Sequence, residues 1–402
     1  MNNKLKILNI VPLPSYDFND GGAINFLNRT KYLVEKGHKI DFIIFKDKSQ
    51  KISAFEKAYA SSNILIIKLK NKELSLLKSI LTSRPYGFFR HNLTTKESLK
   101  LMNFIDKNKY DVVIFETIQS YPIYLKLKNK IDAQKVYFAH NIDYLDILNG
   151  ANNSRGLKKS ILMIESAKDR KVEVKYLKEF KLIFSVSPKD MDIIRQISPN
   201  SKIMFCPAIV DIDMKIDRFS NDKIKDSISY QHKILFTGNL SYPSNITAVR
   251  WFVESIMPIL RKKLNVCFIV VGRKPVKEVL ELKEKYLDVL LFQDVESLAP
   301  FYNTVDLVVI PLFNQAGVKI KLIEALKYGK KIVSRPEGVY GSGLSDIIPT
   351  ADTPEDFAQK CIDVLEGKID FGPIWKKFNE IYDNQKIIDD FEKSLFEFIN
   401  NI

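Results

Sequence analysis

KILNIV at 6–11 and IDFIIF at 40–45 decide the fold. Each is an apolar run too short for a helix, and the first is closed by Pro12 and Pro14. Between them Ile24, Leu27 and Leu33 recur at helical spacing, and that pattern stops at Gly37. Strand, helix, strand within this span is a βαβ unit. Runs apolar at consecutive positions suit strands buried on both faces of a parallel sheet. Working outward, runs of the same kind recur at 64–69, 112–115, 136–139, 182–186 and 203–206, with lysine-rich amphipathic stretches of helical length between them. The alternation fails over the polar segment 215–232, then restarts at 234–236, 267–271, 289–292, 307–310 and 332–333. The expected architecture is α/β: two tandem Rossmann-like, doubly wound parallel-sheet domains facing a central cleft. They span 1–214 and 233–383, with 215–232 as linker.

The composition agrees. In 402 residues, 46% are hydrophobic and 27% charged, which is globular and long enough for two cores. Cys206, Cys267 and Cys361 are widely spaced in or beside apolar runs, so they read as core in a reducing compartment rather than as a disulfide framework. The first residues lack the apolar stretch of a signal peptide, and no run approaches the length of a membrane span; a cytoplasmic protein is expected.

The net charge of +14 is unevenly placed. Residues 1–215 hold 31 Lys and 6 Arg against 22 acids, whereas 216–402 hold 25 bases against 26 acids. The first half therefore points to an anionic partner such as a membrane surface, a nucleic acid or a phosphorylated substrate. Of the 62 bases 51 are Lys, so a biased genome is the competing account, although bias would load both halves alike.

In such folds the strand-to-helix turns carry the chemistry, because free N–H groups at a helix N-terminus cradle phosphate. Gly21-Gly22 opens the first helix, Gly238-Asn239 follows the first strand of the second half, and Gly272-Arg273 ends the next one. None is a Rossmann or Walker motif, and a glycine pair in a turn is often only a turn. The most specific segment is 311–329, PLFNQAGVKIKLIEALKYG: a turn, then a helix opening near Gly317, Val318 and Lys319, with Lys321 one turn from its start. Glu324, three residues on, sits where a ribose hydroxyl would bind if the turn held a diphosphate. Lys321 and Glu324 have equally the spacing of a surface salt bridge.

Here the order of motifs matters. GNLSYPSN, AVRWFVESIMP, IVVGR, PFYNTVDLVVIPL, GVKIKLIEALKYGKKIVS and PEGVYG resemble the nucleotide-binding domain of the family 4 retaining glycosyltransferases, which have the GT-B fold. GGAINFLNRTKYLVEKGHKIDFI, AHNID, FSVSPKD and CPAIVDID resemble that family's first domain, in order. The resemblance implies a metal-independent, retaining hexosyltransferase-type enzyme. Its donor is a nucleotide diphosphate sugar, UDP favoured over GDP, and it implies no cofactor. It assigns Glu324 to the ribose, Lys321 and the Gly317-Val318 amides to the diphosphate, and Val295 with Leu298 to the base. Gly21 and Gly22 fall to the acceptor side, and His140 to the transferred sugar near the reacting carbon. It also implies that the C-terminal helix, about 384–402, packs back on the first domain. The chain departs from the pattern where the family carries Arg and Lys after the first strand of the second domain: Asn239 and Asn245 stand there. Ala316 replaces the first glutamate of the usual pair, and Arg273 with Lys319 are the nearest replacement cations.

Asp211-Ile212-Asp213 superficially resembles a metal-binding DxD but stands alone at the linker, so no metal is expected. Glu173, in a lysine-rich helix, reads as a surface residue. The acceptor is expected to be a lipid-linked or cell-surface glycan precursor, because a basic acceptor domain suits a phosphate lying in an anionic leaflet, with the protein peripheral on the inner face of the cell membrane. The segment 68–90 offers Leu74, Leu77, Ile80 and Leu81 at helical spacing, then Tyr86, Phe88 and Phe89, flanked by cations: an interfacial helix, or one packed on its own domain. Competing functions are a non-hydrolysing sugar-nucleotide epimerase, a catalytically silent partner subunit, and a DNA-modifying glucosyltransferase or nucleic-acid binder. Scattered Lys without interleaved aromatic residues argues against nucleic acid.

Overall fold

The computed structural model describes residues 4–12, 21–47, 50, 52–212, 229–315 and 317–400, with backbone alone for Gly21 and Gly22. The chain divides into two compact units, Met1–Ile209 with Asn384–Ile402, and Val210–Asp383. Most of the segment expected as linker lies outside the described residues, as do Ala316 and Asp213.

The first unit holds seven parallel strands: β1 Lys6–Val11, β2 Lys39–Lys46, β3 Ile64–Lys68, β4 Val112–Glu116, β5 Gln134–Ala139, β6 Leu182–Ser185 and β7 Lys202–Phe205. They run in the order β3-β2-β1-β4-β5-β6-β7. Every apolar run in the first half is one of these strands, and β4 is buried along its whole length, as helices on both faces require. On one face, Phe115, Tyr124, Tyr137, Tyr176 and Phe180 form a mutual aromatic cluster. The other face is closed by the helix Asn384–Asn400, whose Ile387, Phe391 and Leu395 are buried. Phe391 packs 4.4 Å from Phe184, ring to ring, and Glu392 of this helix takes Lys36 and His38 at 2.7 Å each. The C-terminal helix thus completes the first unit.

The second unit holds five parallel strands, β8 His232–Asn239, β9 Val266–Arg273, β10 Val289–Gln293, β11 Leu307–Ile310 and β12 Lys331–Ser334, in the order β10-β9-β8-β11-β12. In both sheets the strand order reverses beside the first strand, between β1 and β4 and between β8 and β11. Such switch points leave a crevice at the strands' carboxyl ends, where open α/β sheets bind ligands.

The long helix Gly156–Leu177 corrects one expectation. Its buried stripe is Ser166, Asp169, Glu173, Tyr176 and Leu177, largely polar, so hydropathy puts the wrong face outward. Glu173 is buried, not a surface residue: its carboxylate accepts from the backbone N–H groups of Asp143 and Tyr144 at 3.1 Å, capping the helix Asp143–Asn152.

Candidate functional site

Each unit carries a polar constellation at its own switch point. In the second unit, β8 and β9 end side by side, with Gly238 opposite Gly272 and Asn239 opposite Arg273. A Cβ on Gly272 would lie 2.0 Å from the Gly238 carbonyl oxygen, so the two turns fit together only without a side chain there. A Cβ on Gly238 would lie 2.9 Å from both Lys321 Nζ and Asn245 Nδ2. Lys321, 76 residues beyond Asn245, thus converges with Gly238 and Asn245 at the end of β8.

Lys321 belongs to the first turn of the helix Ile320–Lys327, entered through Gly317 at φ 56° and N-capped by Lys319, whose side chain makes no cap bond. The Leu322 N–H closes onto the Lys319 carbonyl at 2.9 Å, and those of Ile320 and Lys321 are the helix's first, the kind of group that receives an anion at a helix N-terminus. Lys321 Nζ donates to Asn245 Oδ1 at 3.0 Å and sits 4.0 Å over the Phe236 ring. Burial, opposed by Glu324 and reinforced by Lys319, pulls its ammonium down to about 7. Glu324 makes no salt bridge to it among the described residues; its Oε2 lies 3.5 Å from the Tyr302 hydroxyl, which also meets Thr237 Oγ1 at 3.2 Å. Burial raises the Glu324 carboxyl, with Lys321 and Tyr302 pulling the other way. The pair is an open cation and acceptor one turn apart rather than a closed surface ion pair.

The remaining second-unit candidates flank this point. Asn239 turns its side chain into its own loop, accepting from Ser241 N and Oγ at 3.0 and 2.8 Å. Asn245 is the residue that fixes Lys321, and it also donates to Asn239 O at 2.8 Å. Asn245 thus orients a cation supplied from the helix Ile320–Lys327. Val295 and Leu298 are half-buried in the loop after β10, Val318 stands half-buried at the helix entry, and Lys319 is 9% exposed. Among the described residues no group of three or more His, Cys, Asp or Glu is arranged to hold a metal.

In the first unit His140 follows β5, and its Nε2 lies 2.7 Å from Glu116 Oε2 at the end of β4. The other Glu116 oxygen takes Arg29 Nη2 from the helix Gly21–Glu35. Arg29 and Glu116 are fully buried, and the guanidinium stacks 3.6 Å over the Phe138 ring. Nε2 is thereby committed to the carboxylate and Nδ1 remains for other chemistry. Neither Glu116 nor Arg29 was among the sequence candidates, because a lone acid in a strand and a lone base in a helix carry no local motif. Gly21 and Gly22 form the first turn of that helix, and the loop before them lies outside the described residues. Asn25 and Asn28 of the same helix hold Ile209 by its backbone N–H and carbonyl at 3.0 and 3.1 Å.

Residues 231–367 match the family model described as glycosyl transferases group 1. An uncharacterized 44.6 kDa protein in the cps region of Klebsiella pneumoniae is 23% identical over 344 residues, 82% of each chain. A glycosyltransferase from Rickettsia africae superposes with a TM-score of 0.67 at 15% identity over the whole of both chains. HepE of Anabaena, solved in complex with UDP-glucose, superposes with a TM-score of 0.63 at 12% identity, covering 98% of this chain and all of that one. The fold is that of the GT-B glycosyltransferases.

Proposed function

We propose that this protein transfers a hexose from a nucleotide diphosphate sugar, UDP-linked in preference to GDP-linked, to a lipid-linked or cell-surface glycan precursor, with retention at the anomeric carbon. The observation that carries the reading is the convergence of Gly238, Asn245 and Lys321 at one switch point, with Glu324 one turn along the same helix. The group 1 match covers this segment, and HepE, of the same fold, is solved with UDP-glucose. The neighbourhood of its relative in a cps region points to polysaccharide assembly.

In this reading the bare turn at Gly238 admits the diphosphate against the backbone. Lys321, the first N–H groups of Ile320–Lys327, Arg273 and Lys319 receive the negative charge that grows on the leaving diphosphate, and Glu324 accepts from the ribose. Donors preorganised where charge develops stabilise the transition state more than the ground state. His140, oriented by Glu116, hydrogen-bonds the transferred sugar, and no metal is required. The protein works in the cytoplasm, peripheral on the membrane's inner face.

A thermal-shift panel of UDP-, GDP- and ADP-sugars tests the donor class, since a ligand at a hundred times its Kd stabilises by about 2.7 kcal/mol. The expected result is a rise with UDP-sugars, undiminished by EDTA. No rise with any nucleotide sugar overturns the reading. Conversion of the donor sugar to its epimer without acceptor replaces it by an epimerase.

A further inference from the structure

The helix Lys72–Ile80 is packed inside out. Its buried residues are Ser75 and Ser79, while Leu74, Leu76, Leu77 and Ile80 are 45 to 56% exposed and Leu81, next in the chain, is 74% exposed. Polar bonds hold it this way round. Ser79 Oγ donates to Glu165 Oε2 at 2.6 Å, Lys168 Nζ donates to the Ser79 carbonyl at 2.6 Å, and Tyr86 N donates to the other Glu165 oxygen. The helix Gly156–Leu177 that provides these anchors exposes its own apolar residues on its first turns: Leu157 at 77%, Ile161 at 37%, Ile164 at 57%. An array of apolar side chains left in water marks a surface that is covered in use.

Between the two helices runs a cavity of about 740 Å³, entirely within the first unit. Leu76, Ile80, Leu157 and Ile161 line it, together with Ile118 and Gln119, two and three residues beyond Glu116 in the chain. Asp169 lines it at 6% exposure with no hydrogen-bond partner among the described residues. Burial, reinforced by Asp143 and Glu165, raises this carboxyl to about 8, so at neutral pH it is an uncharged group and does not oppose apolar contents. Charge at the mouth selects the head group. Lys72 and Lys168 line the cavity, as does Glu73; Lys78 and Arg84 border the first helix and Lys158 and Lys159 the second, and both oxygens of Glu165 are engaged, so cations outnumber acids on this face. A second copy of the chain would bring these cations face to face.

We infer that the cavity between the helices Lys72–Ile80 and Gly156–Leu177 binds the single hydrocarbon chain of a phosphate-headed membrane lipid, the acceptor, and holds its head among the cations at the mouth. The inference rests on the transferase reading and adds the acceptor's chemical class. The chain leaves the bilayer along the exposed leucines and fills the cavity, and the head stays at the mouth with Lys72 and Lys168.

Calorimetric titration of the full chain with dodecyl phosphate below its micellar concentration tests this without any membrane, with butyl phosphate and dodecyltrimethylammonium as separate controls. Saturable one-site binding of dodecyl phosphate is expected, with the cationic amphiphile weaker by about tenfold or more and butyl phosphate inert. Ile161→Trp and Leu76→Glu, both at partly exposed positions, should each weaken it by about tenfold while the melting temperature and UDP affinity stay unchanged. Absence of saturable binding, binding untouched by both variants, equal affinity for the two head charges, or occlusion of the cavity by a dimer seen on gel filtration would each overturn the inference. The outcome separates from the transferase reading. Binding of dodecyl phosphate with no turnover of any nucleotide sugar keeps the cavity and removes the reaction, whereas turnover onto soluble acceptors without such binding does the reverse.

Discussion

His140 Nε2 stands 2.7 Å from Glu116 Oε2, and Glu116 is in turn paired with the buried Arg29. The chain thus spends a buried ion pair on aiming one imidazole. Removing one partner of such a pair costs about 3–5 kcal/mol, because the other charge is left without compensation. Glu116→Ala is therefore expected to lower the melting temperature sharply. Glu116→Gln keeps the shape and one acceptor but loosens the choice of tautomer. It should reduce kcat while nucleotide Kd stays within a few fold. An unchanged kcat makes the triad purely structural. His140→Ala should show the same split, with the fold intact.

The second prediction contrasts two glycines that a sequence treats alike. Gly272→Ala puts a methyl 2.0 Å from a carbonyl oxygen of the neighbouring strand, and backbone cannot step aside as a side chain can. A loss of about 1–3 kcal/mol in stability is expected, read by denaturant melts. Gly238→Ala meets the mobile ends of Lys321 and Asn245 instead. Its backbone at φ 159° also resists a side chain, so a smaller loss of stability than for Gly272→Ala is expected, with UDP weakened by about tenfold. Equal effects on folding from both would show that Gly238 is only a turn residue.

Glu324→Ala supplies the third test. A carboxylate hydrogen-bonding a ligand contributes about 1.5–3 kcal/mol, so nucleotide affinity should fall roughly ten- to hundredfold and transfer should stop. Tyr302 keeps its Thr237 partner, so the melting temperature should hold. Unaltered nucleotide affinity removes Glu324 from the site.

Lys321 gives a signed pH prediction. Its folded pKa is lowered from 10.5 to about 7, so between those values the folded state binds fewer protons than the unfolded state, and this group makes stability rise with pH through that window. A diphosphate favours the ammonium. Nucleotide binding near and above pH 7 should therefore take up a proton, and affinity should weaken as pH rises past 7. Calorimetry in two buffers of different ionisation enthalpy reads the uptake directly. No buffer dependence, or affinity that climbs above pH 7, places the phosphate away from Lys321.

The strands were legible because parallel sheets demand consecutive apolar residues, and all twelve lie where the runs are. The helix Ile320–Lys327 was legible because Gly317, Lys321 and Glu324 sit within one short segment. What escaped reading was made by topology. Glu116, Arg29 and His140 come from three separate elements brought together by the β1/β4 switch, and Asn245 acquires its role only because Lys321 reaches it. Glu173 was misread because the buried stripe of its helix is polar, and hydropathy periodicity cannot see a carboxylate capping the neighbouring helix.

The last prediction concerns the membrane. The first half carries all of the excess positive charge, and the exposed leucines of Lys72–Ile80 lie between Lys72, Lys78 and Arg84. Of the apolar residues read as a docking face, the leucines do point outward, whereas Phe88 is half-buried against Tyr121 of the core. Insertion therefore rests on leucine, with lysine supplying attraction worth about 1 kcal/mol per residue near an anionic leaflet, screened within a Debye length of about 8 Å at physiological salt. The two contributions separate by mutation. Lys72→Glu with Lys78→Glu should weaken co-sedimentation with anionic vesicles and flatten its salt dependence. Leu77→Glu should weaken it at all salt concentrations, because it removes apolar insertion rather than steering. Neutral vesicles should retain little protein in either case. Equal recovery in the supernatant with anionic and neutral vesicles would reduce the charge split to composition and leave the acceptor in solution.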